Sequence, residues 1–156
     1  MNQIRPWLVI GNWRSSQSLD TLKQYNIGAV LQLAGPVKHV GITCLYVPVE
    51  DGEPVSDAKL KQGIDFIRQQ KAEGQVVLSA CGAGISRSTT FAIGALMAEE
   101  NLSWEDAYRH ILPVHPGAMP NAHLVRSLLG YVGEPVPAFE VLWKRVLQLQ
   151  DENRER

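Results

Sequence analysis

Apolar residues in this chain fall into short, β-branched runs that alternate with longer stretches spaced three and four apart. Residues 7–10, 29–33, 43–49 and 76–80 read as strands, the second and third divided by a turn at Gly35 and Pro36. Residues 19–25 read as a short helix. Residues 57–71 carry Leu60, Ile64 and Ile67 on one stripe with charge elsewhere, the pattern of an amphipathic helix. Residues 89–100 predict another helix, and 91–98 are apolar all round, as in a helix buried at the middle of a domain. Ser103 and Asp106 have the spacing of a capping box, so a further helix starts after Ser103. Residues 121–132 place Leu124, Val125, Leu128 and Leu129 on one face. Beyond Pro135 and Pro137, a last amphipathic helix carries Phe139, Leu142, Trp143, Val146 and Leu147, and residues 151–156 are expected to fray. The alternation predicts an α/β fold: a single domain with a central mixed, mostly parallel sheet flanked by helices. Residues 1–134 are expected to form the catalytic domain. Residues 135–156 read as a helical extension, packed on that domain or forming a homodimer contact.

At 156 residues the chain suffices for one domain that buries about two-thirds of its unfolded surface. Its net charge of −1 gives no footprint for nucleic acid and no bias toward membranes. No apolar run approaches the ~18 residues of a membrane span, and the N-terminus lacks the apolar core of a secretion signal. The two cysteines, Cys44 and Cys81, make no disulfide framework. A nucleophilic thiol suits a reducing compartment, so a cytoplasmic location is expected.

The segment Cys81, Gly82, Ala83, Gly84, Ile85, Ser86, Arg87, Ser88 carries the chemistry. A strand precedes it and a helix follows it. A glycine-bearing loop between the two turns backbone N–H groups toward an anion. A thiol is a nucleophile only as thiolate, and unperturbed Cys titrates near ~8.5. Amide donors, the positive helix end and a guanidinium all favour that anion, and the same donors suit the oxygens of a phosphate monoester. Arg87 offers a planar fork that stays charged. Gly82 and Gly84 permit conformations that a Cβ penalises. Ser88 can donate to the sulfur and make it a better leaving group. The expectation is a cysteine-based phosphatase in which residues 82–87 bind the phosphate. A general acid should come from the polar turn after the strand at 43–49. On composition Asp51, Glu50, Glu53 and Asp57 all qualify, although Asp57 is also explained as a first-turn helix residue.

These features together resemble the dual specificity protein phosphatases, within the protein tyrosine phosphatase superfamily. The likeness runs from residue 4 to residue 132 and includes Pro6 to Asn12, Leu22, Ile27 to Leu33, Tyr46 to Asp51 and the whole of Cys81 to Ser88. It implies the superfamily's fold, Asp51 as the general acid, and Asn121 as a support of the phosphate loop. It also implies two-step hydrolysis through a phosphocysteine, with Cys81, Arg87, Asp51 and Ser88 catalytic and with no metal or other cofactor. Three positions depart from the family pattern. Ala80 stands where a loop-supporting histidine is usual, which suggests a higher pH optimum. His115 stands where an arginine is common, putting a subsidiary anion contact in doubt, and Ser127 replaces a glutamine, read as a change of packing.

No lysine or histidine lies within residues 82–86, which favours singly phosphorylated tyrosine, serine or threonine in proteins over inositol phospholipids. No aromatic insertion deepens the pocket, so both long and short side chains should enter. His39, His110 and His123 lack metal-ligand spacing. Trp7, Trp13, Trp104 and Trp143 read as packing residues. Cys44 reads as a small buried hydrophobe, with a reversible disulfide to Cys81 as the alternative. Rival functions are a catalytically weak phosphate-binding module, a phosphatase for a non-protein phosphomonoester, and a sulfurtransferase or arsenate reductase. Arsenate reduction normally needs resolving cysteines near the nucleophile, and only distant Cys44 is present.

Overall fold

The computed structural model of the chain describes residues 1–156. Its strands are β1 (Asn2–Arg5), β2 (Leu8–Gly11), β3 (Ile27–Gln32), β4 (Thr43–Tyr46) and β5 (Val76–Ala80). Two short helices, α1 (Trp13–Gln17) and α2 (Leu19–Gln24), follow β2. The long helix α3 (Asp57–Ala72) precedes β5. After β5 come α4 (Arg87–Glu100), α5 (Trp104–Ile111), α6 (Ala122–Val132) and α7 (Phe139–Arg154). The sheet order is β1-β2-β5-β3-β4, with β1 antiparallel to β2 and every other pair parallel. The chain therefore forms the expected mixed, mostly parallel sheet, its one antiparallel pair made by β1.

Strand β5 lies between β2 and β3, and its Val77, Leu78, Ser79 and Ala80 are all buried. Burial on both faces explains its unbroken apolar character. Successive side chains alternate between two cores. Leu78 and Ala80 join Val9, Leu22, Ile27 and Val30 in a small cluster on one face. Val77 and Cys81 belong to the large cluster on the other, which includes Leu31, Phe91, Leu128 and Val146. Helix α4 is the central helix of that larger core, with Thr89 to Leu96 wholly or nearly buried. It packs closely on α3 because Gly63 leaves room for the Phe91 ring, which would sit 2.4 Å from a Cβ there.

Elements that the sequence pattern missed have weak apolar signals. In β1 only Ile4 is buried, and β1 is an edge strand with an irregular register beside β2. In α1 only Ser16 is buried; Asn12 caps it, its side chain accepting from the Ser15 amide. Strand β4 is shorter than its apolar run. Val47 and Val49 still donate to the carbonyls of Gln32 and Leu33, at 3.0 Å each, but Pro48 between them has no N–H. The expected fraying at 151–156 is corrected: α7 continues to Arg154. Glu152 accepts from Arg109 Nε at 2.9 Å, and Asn153 donates to the Leu112 carbonyl at 3.4 Å. These ties to the end of α5 hold the last turn in place.

Candidate active site

Between the end of β5 and the start of α4, residues 81–86 form a loop whose base is the buried Cys81. Its Sγ lies 3.3 Å from Ser88 Oγ, in the first turn of α4. The thiol donates in this pair; with the thiolate, the serine hydroxyl becomes the donor. The Cys81 amide is turned back to the sheet, donating to the Gly11 carbonyl at 3.4 Å.

The loop is stitched from outside along its acceptor side. Trp13 N–H, at the start of α1, donates to the Gly82 carbonyl at 2.9 Å. His115 Nε2 lies 2.7 Å from the Gly84 carbonyl, and Met119 N–H donates to the Ile85 carbonyl at 2.9 Å. The Ser86 carbonyl accepts from both the amide and the hydroxyl of Thr90, at 3.0 Å each. By contrast, the amides of Gly82, Ala83, Gly84, Ile85 and Ser86 donate to no acceptor in the protein. A trans peptide points its C=O and N–H in opposite directions. Anchoring the carbonyls therefore leaves a run of free donors, backed by the N-terminus of a 14-residue helix.

Only Gly84 meets the conformational expectation for the two loop glycines, with φ at +73°. A Cβ there would also stand 2.8 Å from the Gly11 carbonyl oxygen. Gly82 has no positive φ, and its role is clearance: a Cβ would lie 3.3 Å from Arg87 Nη2. The guanidinium thus runs along the start of the loop. Its other terminal nitrogen, Nη1, donates to the Val49 carbonyl at 3.0 Å. That bond fixes the chain two residues before the exposed Asp51. The loop at 81–86 and the polar turn are thereby joined through Arg87.

Residues 8–133 match the family model for the dual specificity phosphatase catalytic domain. The chain belongs to the dual specificity phosphatase family. Among curated relatives, human dual specificity protein phosphatase 22 is 29% identical over 131 residues, spanning 82% of this chain and 71% of the relative. Drosophila melanogaster dual specificity protein phosphatase Mpk3 is 34% identical over 130 residues, covering 80% of this chain but 32% of that longer protein. The solved structure of DUSP15 superposes with a TM-score of 0.75 at 29% identity, covering 99% of this chain and 94% of that one. The chain is accordingly a phosphatase of the small atypical dual specificity kind, and its substrates are phosphorylated. None of its helices is long and apolar enough to cross a membrane.

Around the loop, the phosphatase uses residues whose parts sequence reading left out or misassigned. Asn121 does reach the loop, but through its backbone: its N–H donates to Ser86 Oγ at 3.0 Å. Its side chain caps α6 by accepting from the His123 amide at 2.8 Å, and its Nδ2 lies near Gly52, at 3.9 Å from where a Cβ would be. Ser86 therefore turns its hydroxyl outward as an anchor. Ser127 is more than a packing change. Its Oγ accepts from the Val55 amide at 3.1 Å, tying the far end of the Asp51 turn to α6. No sequence motif marks Ser127 or Trp13 for these parts, because both act on backbone groups brought near only by the fold. Ala80 points into the small cluster and offers no donor to the loop. Cys44 is half-buried beside that same cluster, where burial pushes its thiol up. It lies across the sheet from Cys81, two strands away at about 9–10 Å or more, so the two cannot form a disulfide in this fold.

Proposed function

We propose that this phosphatase hydrolyses phosphotyrosine and phosphoserine or phosphothreonine monoesters in proteins through a phosphocysteine intermediate. The observation that carries the reading is the set of amides from Gly82 to Ser86 without a protein acceptor, in the loop that follows a buried cysteine. Those amides and the Arg87 fork bind the non-bridging phosphate oxygens. They meet the added charge of the transition state without having to reorganise. Cys81 Sγ attacks phosphorus, the P–O ester bond breaks, and Asp51 gives its proton to the departing oxygen. The Asp51 carboxylate then takes a proton from water as the water oxygen attacks phosphorus. The P–S bond breaks, and the Ser88 hydroxyl donates to the departing thiolate.

A loop interior without lysine or histidine favours singly phosphorylated sites, and the lack of an aromatic insertion leaves a cleft shallow enough for both kinds of side chain. Phosphotyrosine reacts faster, since phenoxide leaves more readily than an alkoxide. The test is a panel of phosphotyrosine, phosphoserine/threonine and phosphoinositide substrates with wild type, Cys81→Ser and Asp51→Ala. Cys81→Ser should abolish turnover. Asp51→Ala should lower kcat by ~10²–10⁴-fold on poor leaving groups and much less on p-nitrophenyl phosphate. Full activity of Asp51→Ala on poor leaving groups would remove Asp51 from the mechanism.

A further inference from the structure

We propose that His115 is a positioning residue for the phosphate loop, holding the Gly84–Ile85 peptide so that the Ile85 amide faces the bound oxyanion. The inference rests on the loop's reading as an oxyanion site and adds a residue outside the loop that sets its donor geometry.

His115 sits in the connection between α5 and α6, half-buried, and both ring nitrogens are engaged. Nε2 is 2.7 Å from the Gly84 carbonyl oxygen, which can only accept. A proton must therefore reside on Nε2, and the imidazole donates there. Nδ1 lies 2.6 Å from Asn2 Nδ2. An amide N–H donating to Nδ1 leaves a neutral ring with its one proton on Nε2, the tautomer that the Gly84 contact requires. A short chain from Asn2 through His115 to Gly84 thus joins the edge strand β1 to the phosphate loop.

Gly84 is where such a clamp has most effect. Without a Cβ, and with φ at +73°, it is the residue whose flanking peptides turn over at least cost. The C=O of Gly84 and the N–H of Ile85 share one planar unit and point oppositely. If the carbonyl swings inward, a donor is lost from the site and an acceptor faces an anion in its place. The neighbouring anchors do not cover this peptide: Trp13 holds the carbonyl of Gly82, and Met119 holds that of Ile85. Strand β5 supplies nothing either, because Ala80 has no polar atom on its side chain. His115 alone restrains the Gly84 carbonyl.

The test measures tungstate, an unreactive tetrahedral oxyanion, by calorimetric titration on the full chain, with thermal midpoints taken alongside. His115→Phe keeps a ring and removes the donor; His115→Gln restores a donor near the Nε2 position. His115→Phe should weaken tungstate binding about tenfold, and His115→Gln should stay within about threefold of wild type, with both melting close to wild type. Asn2→Ala, which touches the loop only through His115, should weaken binding about threefold. Wild-type affinity in His115→Phe overturns the proposal, as does a His115→Gln variant as weak as His115→Phe. If His115→Phe fails to fold, Asn2→Ala and His115→Gln decide: unchanged affinity in the first or a tenfold loss in the second overturns it. Because tungstate binding needs no turnover, this result stands apart from the phosphocysteine mechanism. If wild type binds tungstate but Cys81→Ser turns over substrate, the mechanism fails and the positioning proposal remains open to this test.

Discussion

Gly84 shows how little freedom a single position in the phosphate loop has. Its left-handed backbone disfavours any side chain, and its Cα approaches the Gly11 carbonyl so closely that a methyl group would collide. Gly84→Ala should cost about 1–3 kcal/mol of stability. It should also lower kcat/KM by about 10²-fold, because a displaced peptide removes a donor from the reacting phosphate. Urea unfolding and steady-state kinetics on p-nitrophenyl phosphate measure the two effects separately. A variant with both quantities at wild-type values would mean that the loop accommodates a Cβ. At this scale the sequence is legible in placement: the spacing of Cys81, Arg87 and Ser88 puts them together at one loop and helix start, as the structure has them. His115, Ser127 and Trp13 are not legible, because each acts on a backbone carbonyl or amide from a distant part of the chain. The Ser86 hydroxyl is likewise not legible, since it accepts from the Asn121 amide, which only the fold brings near.

Helix α4 supports the loop at its N-terminus and is itself stapled to α3 near its C-terminus. Glu99 accepts from Arg68 Nε at 2.8 Å and from Lys71 Nζ at 2.9 Å, both on α3. Lys71 also lies over the Trp7 ring, 4.9 Å from its centroid. The Lys71 ammonium first, then the Arg68 guanidinium, hold the Glu99 carboxyl below the usual carboxylate range, with partial burial opposing them. A carboxyl with a lowered folded-state pKa stabilises the fold above its unfolded value, near ~4.3, and that contribution is lost as pH falls through the lowered value. Glu99→Gln should therefore be less stable than wild type at neutral pH, by at most about 1 kcal/mol given the solvent access of both cations. The gap should shrink as pH drops below ~4. Urea unfolding at the two pH values measures it, and a gap that widens in acid would contradict the sign. Among the elements, α3, α4 and β5 were legible because periodicity and burial agree along their full length. Strand β1 was not, since its pairing at the sheet edge buries one side chain of four. Helix α1 owes its place to a cap and to Trp13 at the loop, neither of which creates an apolar stripe.

Across the whole molecule, the site is the meeting point of segments far apart in sequence. The connection from α5 to α6 presents His115, Met119 and Asn121 to the loop. It is held from behind by Tyr108 and Gln150, which donate to the Ala118 carbonyl at 2.6 and 3.1 Å. Burial pushes the Tyr108 hydroxyl's pKa up, so it remains a donor across the working pH range. Gln150 comes from α7, and helix α7 thereby braces the connection that braces the loop. This support was hidden from the sequence because α7 reads only as an amphipathic helix after two prolines. The central claim is that the phosphoryl group passes through Cys81 sulfur. Acid quenching of wild type and Ser88→Ala during turnover, followed by peptide mapping, tests it most directly. A phosphoryl group is expected on Cys81, more abundant in Ser88→Ala because the thiolate leaves less readily, and none in Cys81→Ser. Undiminished turnover by Cys81→Ser, or a phosphoryl group on any other residue, would contradict it.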